Sequence, residues 1–169
     1  MSVEAFDPAG ESVAIRVDWN MSTIRDERLR KIHEYWQARA RRGLPSRADI
    51  DPLDVPALLP FICLIDVIDS PRDFRFRLAG THLTERIGME LTGRRIGEVF
   101  PPAFRAEVHY HWNSCIERRA PLAGSGKLWV PGREHVGWEG IVLPLSPDND
   151  GVNMLLGGGV IKLGSGSEF

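Results

Sequence analysis

The chain reads as an α+β protein: a five-stranded antiparallel sheet with helices on one face and an N-terminal amphipathic helix. Three observations predict it. A helical period holds over residues 22–43. Two strand patterns, at 61–68 and 74–78, then sit close enough to form a hairpin, and a helical block over 81–118 precedes three more strand patterns. Segregated helices and strands of this kind favour an α+β layer arrangement over the alternating order of a parallel sheet.

The bulk numbers agree. At 169 residues the chain suits one domain with a substantial buried core. Its 43% hydrophobic and 26% charged residues are those of a soluble globular protein. A formal net charge of −2 supplies no field that would draw the whole protein to nucleic acid or an anionic membrane. The longest apolar runs, such as 58–67, are too short to cross a bilayer. Glu4 and Asp7 stand where a signal peptide would be apolar, so a cytoplasmic location is expected. Cys63 and Cys115 lie inside apolar segments and read as buried free thiols.

Each element has its own local reason. Residues 1–21 carry Pro8 and Gly10 and no clean period, an arm that is loose or adds one short strand at 13–17. From Ser22 or Thr23 to Gly43 the spacing predicts a helix, with Ile24, Leu29, Ile32, Tyr35, Trp36 and Ala40 on one stripe. Arg28 and Arg39 intrude on that stripe. Residues 21–47 hold eight Arg or Lys against Asp26, Glu27 and Glu34, a net of +5. Such a helix either meets an acidic surface or turns a solvated face outward, and the second is the simpler reading. Asp51-Pro52 and Asp54-Val55-Pro56 open short helical turns that Pro60 ends. A core over 44–163 follows, and the Gly-Ser-rich 164–169 reads as a linker outside the fold.

Within the core, 61–68 is apolar on both sides, as an interior strand covered on both faces should be. Phe74, Phe76 and Leu78 alternate with Arg75 and Arg77, the period of a half-buried strand. Short helical pieces at 83–87 and 94–99 are broken by Gly88 and Gly93. A longer helix opens at Pro101-Pro102 and runs to Arg118, with Phe104, Val108, His111, Trp112, Cys115 and Ile116 facing inward. Strands are expected at 127–130, 136–145 and 152–163, the last two joined by a turn rich in breakers.

The order and spacing of several short pieces give a resemblance. They are Trp36, the run from Pro45 to Pro52, Leu58-Leu59-Pro60, the run from Phe74 to Thr81, Leu91-Thr92-Gly93-Arg94 and Leu143-Pro144-Leu145. Together they resemble a PAS domain, and more narrowly the small PAS-like family common in alphaproteobacteria, whose members often occur without an attached output domain. The resemblance covers nearly all of 28–163. It implies a sheet ordered 2-1-5-4-3, helices enclosing a ligand cavity, and a sensory or regulatory role, but no agreed ligand residue. Fold analogy alone does not settle function.

Candidate chemistry is sparse. Haem-binding PAS domains hold iron with a histidine on the long helix, and His111, the inward one of His109 and His111, is the candidate haem ligand. A core-edge histidine is the plainer reading. The Asn-Cys-Arg-Phe-Leu motif of flavin photoreceptors is absent, so adduct chemistry is not expected. His109 and His111 point to different helix faces, and no Cys-x-x-Cys or His-Glu-x-x-His motif supports a metal. Gly157-Gly158-Gly159 inside a strand pattern marks a bulge or the close approach of another group. Arg72, Arg75 and Arg77 form a basic strip, and Trp129 and Trp138 are placed to line a cavity or a dimer seam.

The resemblance implies a sensory or regulatory module for signal transduction, expected to bind a small molecule, a protein partner or both without catalysis. Inward-facing pattern nominates Phe76, Leu78, Val108, His111, Cys115, Val142 and Leu156 for the ligand pocket. The stripe of Ile32, Tyr35 and Trp36 is the candidate seam of a homodimer or partner contact. Two rivals remain: a ligand-free interaction scaffold with a filled interior, and an enzyme on a cone-like α+β fold. The enzyme would need an acid–base pair, for which Asp66 with His82 or His111 is the available choice.

Overall fold

A computed structural model describes residues 2–6, 12–18, 21–128, 130, 132–133 and 135–163. Helix α1 (Glu27–Arg39) is followed by the hairpin β3 (Ile62–Ile68) and β4 (Asp73–Ala79). Helices α2 (Thr81–Ile87), α3 (Ile96–Val99) and α4 (Pro102–Arg118) come next, then β5 (Leu122–Lys127), β6 (Val136–Leu145) and β7 (Met154–Leu163). These five strands form an antiparallel sheet ordered β4-β3-β7-β6-β5, the expected 2-1-5-4-3.

The N-terminal arm adds more than one short strand. β1 (Ser2–Phe6) and β2 (Ser12–Asp18) form a hairpin, and β2 pairs with β5, so the described sheet has seven strands. The third core strand also lies earlier than its expected 127–130. Its glycines, Gly124 and Gly126, hid a strand that cross-strand pairing supplies. Trp129 and residues 164–169, singled out above, lie outside the described residues.

Two apolar clusters lie on opposite faces of the sheet. On one face α2, α3 and α4 pack through Leu83, Ile96, Phe104, Val108 and Cys115 onto Ile65, Phe74, Phe76 and Val142. On the other, α1 packs through Leu29, Ile32 and Trp36 onto Leu64, Ile141, Leu143 and Leu156. The basic helix thus covers the second face of its own sheet.

Helix α1 is shorter than its sequence period. Met21–Thr23 forms a 3-10 turn, and the backbone N–H groups of Arg25 and Asp26 donate to Glu139 on β6. The helix therefore opens at Glu27, with the Asp26 carboxylate accepting from the Arg28 N–H as its cap. Its C-cap is Ala40, whose N–H bonds to the Trp36 and Gln37 carbonyls. Gly43 lies beyond it at φ +116°, where a Cβ would collide with the Asn149 side chain.

The two arginines on the apolar stripe have intramolecular work. Arg28 stacks on the Phe61 ring at 4.3 Å and pairs with Asp26, while Arg39 stacks on Tyr35 at 3.6 Å and pairs with Asp54. Their aliphatic stems and flat heads extend the packed face rather than interrupt it.

Strand β4 carries the main correction to the expected pattern. Leu64 pairs with Leu78 but Ile65 pairs with Phe76, so Arg77 is an extra residue, a β-bulge. The bulge turns Leu78 onto the α1 face, where it is 48% exposed. Alternation across 74–78 therefore holds for Phe74 and Phe76 and fails at Leu78. The Gly157–Gly159 segment, by contrast, pairs in regular register with β6 and β3, so close approach and not a bulge explains it.

Candidate functional site

Between the sheet and the α2–α4 layer lies a cavity of about 150 Å³. Its floor is built by subtraction. Gly124 on β5 pairs with Gly140 on β6, and Gly140 pairs with Gly159 on β7, so three glycines form a row across adjacent strands. Gly157 lies two residues along the same face. A Cβ at Gly159 would come within 2.9 Å of Leu83 Cδ2, and one at Gly157 within 2.4 Å of Cys63 Sγ. The missing side chains bring the helical layer and the backbone together.

The walls are apolar. Leu83 rises from α2, Phe100 follows α3, and Phe104, Val108 and Trp112 come from α4, with Phe76 and Trp138 from the sheet. Edge-on contacts between Trp112 and Phe76, and between Phe104 and Trp138, fix the rings. The Trp138 indole N–H donates to the Lys127 carbonyl, which holds its ring over Gly140.

One polar pair breaks this lining. Glu107 and His111 stand one turn apart on α4 and both face the cavity. His111 Nε2 lies 3.3 Å from Glu107 Oε2, an ion-pair distance at which neither atom completes a hydrogen bond. Burial pushes the His111 pKa down and the adjacent Glu107 carboxylate opposes it, with the net shift downward. The imidazole is therefore neutral at neutral pH.

Of the pocket residues nominated from sequence, Phe76, Val108, His111 and Val142 line this cavity. Cys115 is fully buried in the same cluster but behind the wall, its thiol donating to the Ala120 carbonyl at 3.1 Å. Leu78 is displaced by the bulge. Leu156 pairs with Leu64 and faces α1, because β7 is covered on both sides and its sequence carries no alternation to choose between them. Sequence reasoning missed Glu107 and the glycine row. The first had a signal, an acidic residue three after Phe104 and four before His111 on an apolar stripe.

The proposed dimer seam is occupied from within. Ile32 and Trp36 are buried against the sheet, with the Trp36 indole N–H donating to the Pro144 carbonyl at 3.0 Å. The Tyr35 hydroxyl accepts from the Asp51 N–H and donates to Asp54. That stripe docks α1 on its own domain.

A haem does not fit. Its macrocycle is larger than the drug-sized ligands that occupy about 300–1,000 Å³, and the His111 ring faces Glu107 in a far smaller space. Burial pushes the Cys63 and Cys115 thiols up to about 12, away from thiolate chemistry. Among the described residues no group of His, Cys, Asp and Glu is placed to hold a metal ion. Asp66 meets neither histidine: it faces the α1 side, 3.2 Å from Arg75 and 3.4 Å from Arg77. His82 instead accepts from the Ile161 N–H and packs on Phe61. The acid–base pair that the enzyme rival would need is not formed by Asp66 with either histidine.

Across the sheet from the cavity, the start of α1 is clamped by charge. Asp26 accepts from Arg28 at 2.9 Å and lies 3.0 Å from Lys162, which is 3.4 Å from Glu139. Burial alone would push the Asp26 carboxyl up. Its bonds to Arg28 and Lys162 outweigh that and hold it well below the usual carboxylate range. β6 and β7 therefore carry the cavity floor on one face and the anchor of α1 on the other.

The PAS domain profile matches residues 24–159, most of the chain, and the chain belongs to the PAS domain family. No curated protein and no solved structure matches it. PAS domains serve in general as sensory or regulatory modules. Among the described residues, no helix is long and apolar enough to cross a membrane.

Proposed function

We propose that this protein is a sensory PAS module in which a small molecule enters the cavity between the sheet and α2–α4 and alters the seating of α1. The observation that carries the reading is the glycine segment of β7. Gly157 and Gly159 face the cavity side, while a Cβ on Gly158 would lie 3.0 Å from Ile32 Cδ1 and 3.1 Å from Leu29 Cδ2 on α1. At this point one backbone layer separates the cavity lining, Cys63 and Leu83, from α1. A ligand that binds one arrangement of Leu83 and Trp138 better than another shifts the population of that arrangement. The strand between them is the physical link to α1.

The module has no catalytic role in this reading, and its output is a protein contact made by α1 or the sheet margin. The unfilled cavity supports sensing over the interaction scaffold, whose interior would be packed solid. Benzene tests the reading, since an engineered apolar cavity of about 150 Å³ holds it. Titrated into the ¹⁵N-labelled chain, benzene is expected to move the Trp112 and Trp138 indole signals and the amides of Leu29 to Trp36. Movement confined to the cavity lining would disprove coupling to α1, and no movement at all would disprove the sensing site.

A further inference from the structure

The cavity is lined by carbon except at Glu107 and His111 on α4. Glu107 Oε2 and both ring nitrogens of His111 are buried and make no hydrogen bond. His111 is 6% exposed, so solvent does not serve it either. Buried polar atoms are almost always paired, because each one left bare forfeits its hydration. Two such residues on one wall of an otherwise apolar space mark the place of a partner that the chain does not supply.

The chemistry of that partner follows from counting. A carboxylate offers acceptors only, and a neutral imidazole offers one donor and one acceptor. The wall is therefore rich in acceptors and carries negative charge. It fits a head that donates, neutral or cationic, and repels one that is itself a carboxylate. Phe76, Phe104, Val108 and Trp138 surround the rest with carbon, and about 150 Å³ limits the body to roughly one six-membered ring.

We propose that Glu107 and His111 are the head-group site for a compact, single-ring-sized ligand, apolar except for one hydrogen-bond-donating hydroxyl or amine. This rests on the sensing reading and names its ligand class. The hydroxyl donates to Glu107 and accepts from the His111 ring N–H, while an amine donates to both acceptors. The ring lies among Phe76, Phe104, Val108 and Trp138.

A matched series on the full chain tests it: toluene, phenol, benzylamine and benzoate, each titrated while the Trp112 and Trp138 indole signals are followed by NMR. Phenol and benzylamine are expected to bind at least about tenfold more tightly than toluene, the scale of a hydrogen bond to a charged group. Benzoate is expected not to bind. Glu107→Gln is expected to abolish the benzylamine preference, and His111→Phe the phenol preference, with toluene binding kept in both. The wild-type series decides the matter even where a variant does not fold. Toluene binding as tightly as phenol would overturn the head-group site while leaving the cavity a sensor, with water then serving the pair. Binding of benzoate alone would reverse the charge argument. If no probe moves Trp138, the sensing reading falls with this one.

Discussion

The two faces of the sheet are built to opposite specifications. On the α1 face the packing under the helix closes gaps: Leu29, Ile32 and Trp36 are buried, Trp36 is hydrogen-bonded to Pro144, and Asp26 is held by Arg28 and Lys162. On the α4 face the same strands carry glycines that line a cavity, and Glu107 Oε2 and the His111 ring nitrogens, 3.3 Å from one another at their closest, complete no hydrogen bond. A close-packed interior tolerates few voids, because lost contacts are not recovered. One face is therefore set for stability and the other gives up stability for room.

Substitutions that treat the faces alike should expose the difference. The largest effect is expected from Gly158→Leu, which drives a side chain against Ile141, Ile32 and Leu29 and should cost about 3 kcal/mol through overpacking. Gly159→Leu, the same change one residue along, should cost about 1 kcal/mol, because Leu83 can retreat and the added side chain enters the cavity. Denaturation midpoints of the two variants check the pair, and equal losses would erase the asymmetry.

Next is Asp26→Asn, expected to cost about 2 kcal/mol by leaving Lys162 without its closest partner at a half-shielded site. The Asp26 pKa is depressed in the folded state, so its contribution is present at neutral pH and is lost as pH falls below the usual carboxylate value. The variant should therefore show a flatter acid limb in urea denaturation followed against pH. A limb as steep as that of the parent would remove Asp26 from the account.

The smallest effect is expected from His111→Phe. Replacing an unserved imidazole by a ring of similar size should leave stability unchanged or raise it by up to about 1 kcal/mol. His111 is also depressed, so the unfolded chain takes up its proton first and stability falls as pH drops below about 6.5. The Phe variant should lose the His111 share of that decline and keep the share of His33, whose pKa burial also lowers, so thermal melts between acid and neutral pH should show a shallower decline. A variant that melts much earlier than the parent would mean that His111 holds the face together.

The fold was largely legible because its punctuation is local. Gly88 and the breaker-rich turn after Leu145 delimit elements on their own, although the 3-10 turn Pro56–Phe61 runs through Pro60, and the inner stripe of α4 shows at the helical period. What failed depends on pairing between distant strands. The Arg77 bulge leaves the alternation of Phe74, Phe76 and Leu78 intact in sequence while reversing the last of them in space. Leu156 lies on a strand apolar on both sides, so no period assigns its face. The glycine row joins residues 124, 140 and 159, which look unrelated until their register is known. The candidate site was thus half legible: its helix contributions stand out as a stripe, and its floor does not.

The hairpin of β1 and β2 has a consequence for how this module is cut. The PAS domain match begins at residue 24, after both strands. A fragment trimmed to 24–159 would lose the partner that β2 gives β5, leaving Leu122–Lys127 as a bare sheet margin. Unpaired margins recruit other chains by strand addition. Self-association of such a fragment would then be a product of the trimming, with the pairing that the arm provides within one molecule passed to a neighbour.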